Sequence, residues 1–390
     1  MTGAPDSPTK AVLAIAVPDL FHVTQTFFHE HIASIWPGRT VVVHISSTGT
    51  PALTDVPVLE VPLRPMWPET TVPGLRKLFS VANSIKTSKL TVKDEERIIA
   101  FFRKHRVTHI FAEFASSASL ILPVAERLGL PLTSLSHGWD INILGQGRVW
   151  RRRYQRLFHS EARLVAVCGF LRERMKELGA PFEQISVIPC AVDAASFPLV
   201  QHSRNEVRVV MVCRLIGQKG PLEALRSFAS AHARRPELTL DVVGGGPLKN
   251  EVAFEIEKLR LASAVRLHGD TPHPKALEII ARSHIFLQHC MTLPGGGIES
   301  QAVSLLEAMG HGLVAIVTRH GGMSDHVLDG KRGWLVDEGN ETAMGQRIVQ
   351  MCDDPAARTR IGAAAREYVL SSFNRDDIYP ELRQLIGLRG

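Results

Sequence analysis

Several absences narrow what this chain can be. No run of about 18 apolar residues occurs among its 390, so no membrane-spanning helix is expected. Its five cysteines, Cys168, Cys190, Cys213, Cys290 and Cys352, form no C-x-x-C pair. An odd number, four of them following or within apolar runs, reads as buried free thiols in a reducing compartment, without a zinc site. Aromatics make up only 6% of the residues and no recognisable nucleic-acid-binding module occurs, which argues against a nucleic-acid role. Residues Met1–Thr9 are polar and carry no apolar core, so no secretory leader is expected, and the cytoplasm is the expected compartment.

What is present is an alternation of short β-branched runs with longer amphipathic segments. Strands are expected at Lys10–Val17, Thr40–Ser46, Val56–Val61, Val107–Glu113, Pro131–His137, Arg163–Cys168 and Ile185–Pro189. The pattern restarts at Val207–Leu215 and continues through Leu238–Val243, Val265–His268, Ile285–His289, Leu313–Thr318 and Gly333–Val336. Helices fill most of the gaps, among them Gln25–Trp36, Ser116–Leu128, Pro221–Arg234 and Ser300–Met309. The strands are apolar without strict alternation, as in parallel strands buried on both faces. The fold class expected is α/β, with two facing Rossmann-like domains. The N-terminal one spans 1–198, a polar linker 199–207, the second domain 208–370, and a terminal helix in 371–390 crosses back to the first. Ligands of such sheets sit beyond the C-terminal strand ends.

Net charge is +6 and uneven. Residues 1–198 carry 22 Lys and Arg against 17 Asp and Glu. The excess gathers in Arg76–Arg106 and in Arg148, Arg151, Arg152, Arg153 and Arg156. These are either solvated helix faces or a surface for an anionic partner. Trp67, Leu75, Leu78 and Phe79 lie before and within the first stretch, a mixture that docks at an anionic bilayer surface. His22, His29 and His31 lie close together, but not at a zinc spacing on one helix face, and read as a solvated helix.

The densest chemistry lies between Leu293 and Val336. Glu299 and Glu307 stand eight residues apart, and the Gly295–Gly297 run before them places Glu299 in a loop and Glu307 on the following helix. The start of that helix, near Ser300, Gln301 and Ala302, offers free N–H groups to a phosphate. Arg214 and Lys219, five apart after a strand, make a cationic pair suited to the same anion. Gly244-Gly245-Gly246-Pro247 is a tight strand-to-helix turn that need not touch ligand.

This block resembles the signature of the retaining family 4 glycosyltransferases of GT-B fold. The match runs through Glu299, Glu307, Ala308, Met309, Gly312, Gly321 and Gly322, with the last acidic position of the pattern either filled by Asp325 or lost. Arg214 to Gly220 resembles the family's R-x-x-x-x-K-G loop, and Gly244 to Pro247 its G-x-G-P turn. His268-Gly269-Asp270 resembles the segment passing the nucleotide base, His137-Gly138-Trp139-Asp140 the H-G-x-D element, and Thr24-Gln25-Thr26-Phe27 the first loop. The chain departs from the pattern where the first loop lacks paired glycines, where 189–193 reads Pro-Cys-Ala-Val-Asp, and where Ser300 follows the first glutamate.

The resemblance implies transfer of a sugar, with retention, from a UDP- or GDP-sugar to a glycan or lipid-linked acceptor of the cell surface. Arg214 and Lys219 would stabilise the departing phosphate. Glu299 would hold the sugar, Glu307 the ribose, and Gly245, His268, Gly269, Ser300, Gln301 and Ala302 would complete the donor site. His137 would approach the reacting face of the sugar, with Thr24, Gln25 and Asp140 on the acceptor side. No D-x-D triplet occurs, so no metal and no cofactor are expected. Peripheral contact with the cytoplasmic face of the inner membrane follows from a lipid-linked acceptor. The alternatives are a GT-B-fold sugar-nucleotide isomerase, a transferase acting on a small natural product, and a non-catalytic binder. The intact Arg214, Lys219, Glu299 and Glu307 argue against the last.

Overall fold

A computed structural model describes residues 11–18, 26–46, 56–63, 89–202, 206–293 and 295–389. The chain divides into two compact units. The first holds Met1–Val167, Leu171–Ile188 and Tyr379–Gly390, and the second holds Cys168–Phe170 and Pro189–Ile378.

In the first unit a seven-stranded sheet has the order β3-β2-β1-β4-β5-β6-β7. The strands are β1 Leu13–Val17, β2 Thr40–Ser46, β3 Val58–Pro62, β4 His109–Glu113, β5 Leu132–Ser136, β6 Arg163–Ala166 and β7 Ile185–Val187. All pairings are parallel. In the second unit a parallel six-stranded sheet runs β10-β9-β8-β11-β12-β13. Its strands are β8 Arg208–Val212, β9 Thr239–Val243, β10 Val265–Gly269, β11 Ile285–Gln288, β12 Val314–Thr318 and β13 Trp334–Val336. Every strand expected from the alternation is present.

The second sheet shows why its strands carry few polar residues. Alternate residues leave opposite faces of a strand. Val209, Met211, Leu240, Val242, Ile285, Leu287, Val314 and Ile316 enter one hydrophobic core, while Val210, Val243, Phe286, Ala315 and Val317 enter the other. Each fully buried aliphatic side chain contributes ~1.5–3 kcal/mol. The helices have local stop and start signals. Thr91 and Asp94 form a reciprocal capping box for Val92–His105, and Pro221 opens Pro221–His232 at a position where its missing N–H costs nothing.

The continuous part of the second unit begins at Pro189, ten residues before the polar stretch expected to be the linker. The N–H of Val192 donates to Phe373 O, and Val192, Phe197 and Val200 are buried in the second core. Burial of these apolar residues, and not the polarity of the following stretch, sets the division. The terminal helix Arg375–Ile386 returns to the first unit from Tyr379 onward. There Arg383 donates to the carbonyls of Ser34 and Ile35, and Arg163 to that of Ile386. Among the described residues no helix is long and apolar enough to cross a membrane.

Candidate active site

In the second unit the strand order reverses between β8 and β11, the point where open parallel sheets bind ligands. Both loops that leave this point carry charge. After β8 the chain passes Arg214 and turns through a short 3₁₀ segment, Gly217–Lys219, to Gly220 and the helix Pro221–His232. After β11 it runs to Glu299. Lys219 Nζ donates to Glu299 Oε2, with side chains only 17% and 13% exposed. Burial pushes the Glu299 carboxyl up, but the adjacent ammonium outweighs it and holds the group below its ordinary value. The Lys219 ammonium is held above its ordinary value, because the pull of Glu299 exceeds the cost of burial. Cys213 and Cys290 lie beside this pair, and burial pushes both thiols up, Cys213 to about 12. All five cysteines are free.

The expected clamp of Arg214 and Lys219 is therefore divided. Lys219 is committed to Glu299, whereas half-buried Arg214 has no anionic partner among the described residues. The loop bearing Arg214 is shaped by the glycine turn. Leu215 N–H donates to Gly245 O at 2.8 Å, and a Cβ on Gly244 would lie 2.0 Å from Cys213 O. Gly245 faces the Asp270 carboxylate, and a Cβ there would meet it at 2.4 Å.

Glu299 precedes its helix, which starts at Val303 with Ala302 at the cap, three residues later than the sequence indicates. Ser300 and Gln301 are buried in the intervening loop. Gln301 was expected to bind donor, but its side chain is spent on the chain at Cys190: Oε1 accepts the Cys190 N–H at 2.9 Å and Nε2 donates to the Cys190 carbonyl. The departure at 189–193 thus sits against the loop that follows Glu299. Gly321 and Gly322 let a second loop approach. The Gly322 N–H donates to Glu299 O at 3.0 Å, and a Cβ on Gly322 would fall 1.7 Å from Ser300 O. Asp325 is exposed.

Glu307 lies on the helix Val303–Gly310, and His273 Nε2 donates to its Oε1 at 2.6 Å. His268 pairs with Asp241 at 2.6 Å, and Gly269, with φ +68°, ends β10 beside open space.

Two further groups escaped the sequence reading. The buried ring of His320 accepts the Glu299 N–H on Nε2 at 2.9 Å, so its proton is on Nδ1, which donates to Glu338 at 2.6 Å. Glu338 also accepts from the N–H and hydroxyl of Thr292. The loop after β13 is thus tied to both ends of the segment Thr292–Glu299. Nothing in sequence spacing announces partners 18 to 46 residues apart. The same holds for His273 with Glu307.

In the first unit His137 follows β5, and its Nε2 donates to Glu113 Oε2 at 2.6 Å. Glu113 ends β4 and takes a second bond from His31 Nδ1 at 2.5 Å. Burial pushes this carboxyl up, but the two imidazoles outweigh burial and bring it down to about 2. His31 is buried on the helix Thr26–Ser34, contrary to the solvated face expected, because it packs inward beside Glu113; His29 is exposed. Asp140, expected on the acceptor side, is fully buried. Its carboxylate accepts the N–H groups of Ala115, Gly138 and His137, so it fixes the backbone there and does not reach solvent. Burial raises its pKa despite those bonds. Thr24 and Gln25 lie outside the described residues, as do Trp67, Leu75, Leu78 and Phe79. Arg148, Arg151, Arg152 and Arg156 are exposed, Arg156 paired with Glu126. Among the described residues no group of three or more His, Cys, Asp or Glu is placed to hold a metal ion.

Two family models match the chain. One described as glycosyl transferases group 1 covers residues 197–368, and one described as glycosyltransferase family 4 covers 40–196. The amylovoran biosynthesis glycosyltransferase AmsK of Erwinia amylovora is 24% identical over 82% of this chain and 79% of that protein. A GDP-mannose-dependent α-(1-6)-phosphatidylinositol monomannoside mannosyltransferase of Mycolicibacterium smegmatis is 25% identical over 69% and 74%. Among solved structures, the Anabaena protein HepE in complex with UDP superposes with a TM-score of 0.75 at 17% identity, over 96% of this chain and 99% of that one. That likeness shows a shared fold.

Proposed function

Because the chain belongs to the family 4 glycosyltransferases and has their GT-B fold, we propose that it moves a hexosyl group from a UDP- or GDP-sugar to a glycan or lipid-linked acceptor in cell-surface polysaccharide synthesis, with retention and without a metal. Support for the donor class comes from HepE, solved with UDP and with UDP-glucose, and from the GDP-mannose dependence of the mycobacterial relative. Support for the pathway class comes from AmsK.

The observation that carries the reading is the switch point of the second sheet, where the loop after β8 carries both Lys219, paired with Glu299, and Arg214, which has no anionic partner among the described residues. In the reaction the bond from the anomeric carbon to the β-phosphate oxygen breaks. A bond from the same carbon to the acceptor oxygen forms on the same face. The acceptor's proton passes to the departing phosphate. Charge grows on that phosphate in the transition state, so fixed cations lower the barrier. Arg214 supplies a planar donor fork, and Lys219 a second positive charge that it shares with Glu299. Glu299 holds sugar hydroxyls and Glu307 the ribose, with His273 fixing one of its oxygens. His137 meets the reacting face of the sugar.

The exposed arginines Arg148, Arg151 and Arg152 face an anionic bilayer on the cytoplasmic side, where a lipid-linked acceptor is held. The test is release of nucleoside diphosphate from a panel of UDP- and GDP-hexoses, with the product's anomeric configuration read by NMR and the assay repeated in EDTA. Turnover with one donor, retention, and indifference to EDTA are expected. Glu299→Ala should remain folded and lose transfer; full activity in that variant would remove Glu299 from the site.

A further inference from the structure

Glu113 sits where a carboxylate is costly. It is wholly buried, and so is His31 behind it. Paired charges in such a place are commonly no more stable than apolar side chains of equal volume, so stability alone does not account for them. The arrangement has one end near solvent: His137, whose side chain is 9% exposed. The ring of His137 is held by Phe27, 4.5 Å between centroids, and by Phe114 at 4.8 Å. Phe114 is kept at φ +69°, a conformation unfavourable for a bulky residue, between Glu113 and the helix Ala115–Leu128. β4 and β1 are the neighbours at which the first sheet reverses its order, so Glu113 occupies the strand end from which ligand-facing loops depart.

We infer that Glu113, braced by His31, is a positioning residue for His137. An ionised carboxylate can only accept, so both histidines must donate to it. His137 therefore keeps its proton on Nε2, and Nδ1 is its accepting nitrogen. The ring plane is fixed by the same bond and by the two phenyl rings. An imidazole fixed in this tautomer takes a hydrogen bond from a hydroxyl and, with a negative group behind it, tolerates the partial positive charge it gains. The inference rests on the reading of His137 as the group that meets the donor sugar. It adds Glu113 and His31, which touch no substrate and act through His137.

Two measurements separate the parts. Long-range ¹H–¹⁵N NMR of the side chains, with His137 assigned by its absence in His137→Ala, should show the Nε2–H tautomer in the full chain. Glu113→Gln keeps the volume but presents an amide able to donate, and should populate the Nδ1–H form. A resonance unchanged in Glu113→Gln overturns the inference, whatever the activity. In turnover, Glu113→Gln should lower kcat on the order of 10²-fold, with nucleoside diphosphate affinity unchanged, and should add nothing in a His137→Ala background. His31→Asn, which still donates to Glu113, should retain most of the activity, and His31→Leu should not. If His137→Ala leaves turnover unchanged, the reading of His137 fails, and the NMR result still decides the tautomer. If His137→Ala is impaired and Glu113→Gln is not, the inference fails and the reading of His137 stands.

Discussion

Replacing Lys219 with Met would leave the Glu299 carboxylate in a pocket where it is only 13% exposed, without its ammonium partner. Breaking a fully buried ion pair costs ~3–5 kcal/mol. Residual exposure lets water offset part of that, leaving about 2–3 kcal/mol. For a unit of this size about 1 kcal/mol shifts Tm by roughly 2–4 °C, so Lys219→Met should lower Tm by about 5–10 °C. Glu299→Gln should cost less, because the longer lysine side chain can swing its charge toward solvent. In the double variant neither charge is left alone, so the Tm should recover and the cycle should give a coupling of at least about 2–3 kcal/mol at pH 7. Lys219 holds the Glu299 carboxyl below its ordinary value, so the coupling is complete above that ordinary value and is lost as the pH falls through the lowered one. Thermal unfolding by circular dichroism, with no nucleotide added, measures all four proteins. Additive single effects, or a loss under about 2 °C in Lys219→Met, would show that the pair is not coupled in solution.

Other predictions concern the loops around this pair. Glu338→Gln weakens the hold on His320 and Thr292, so affinity for the nucleotide-sugar should fall about tenfold relative to the bare diphosphate; equal losses for both ligands in calorimetry would exclude a role through Glu299. Gly322→Ala places a methyl against the Ser300 carbonyl and should destabilise the second unit by at least about 2 kcal/mol, read by urea unfolding. Burial lowers the pKa of His326 to about 4 from an ordinary value near 6.5. The folded state then binds the proton less readily than the unfolded chain, so stability is full above pH 6.5 and falls by ~3 kcal/mol as the pH drops toward 4. His326→Gln should flatten that part of the stability–pH curve.

The fold was legible because parallel strands buried on both faces are written as contiguous apolar runs with turn residues between them. The loop position of Glu299 was legible for a similar reason, since the preceding glycines rule out a regular helix. The start of the next helix was not, because Ser300 and Gln301 are polar residues buried in a loop, where hydrogen bonds to distant backbone replace solvent. The division at Pro189 was hidden because Val192 and Phe197 fill the second core from a stretch without secondary-structure rhythm. Glu113, His273, His320 and Glu338 were missed because each acts through a partner brought near only by the sheet. His31 was misread on the composition of its own helix, whereas its environment is set by Glu113, 82 residues away.

The claim at the centre is that the second unit binds a nucleoside diphosphate through Arg214. Isothermal calorimetry with UDP, GDP and ADP on the full chain and on Arg214→Ala tests it most directly. One of the three should bind the full chain, and Arg214→Ala should weaken that binding by roughly ten- to a hundredfold, the worth of one or two charge-assisted bonds. Equal affinity in the two proteins, or no binding of any of the three, would contradict it.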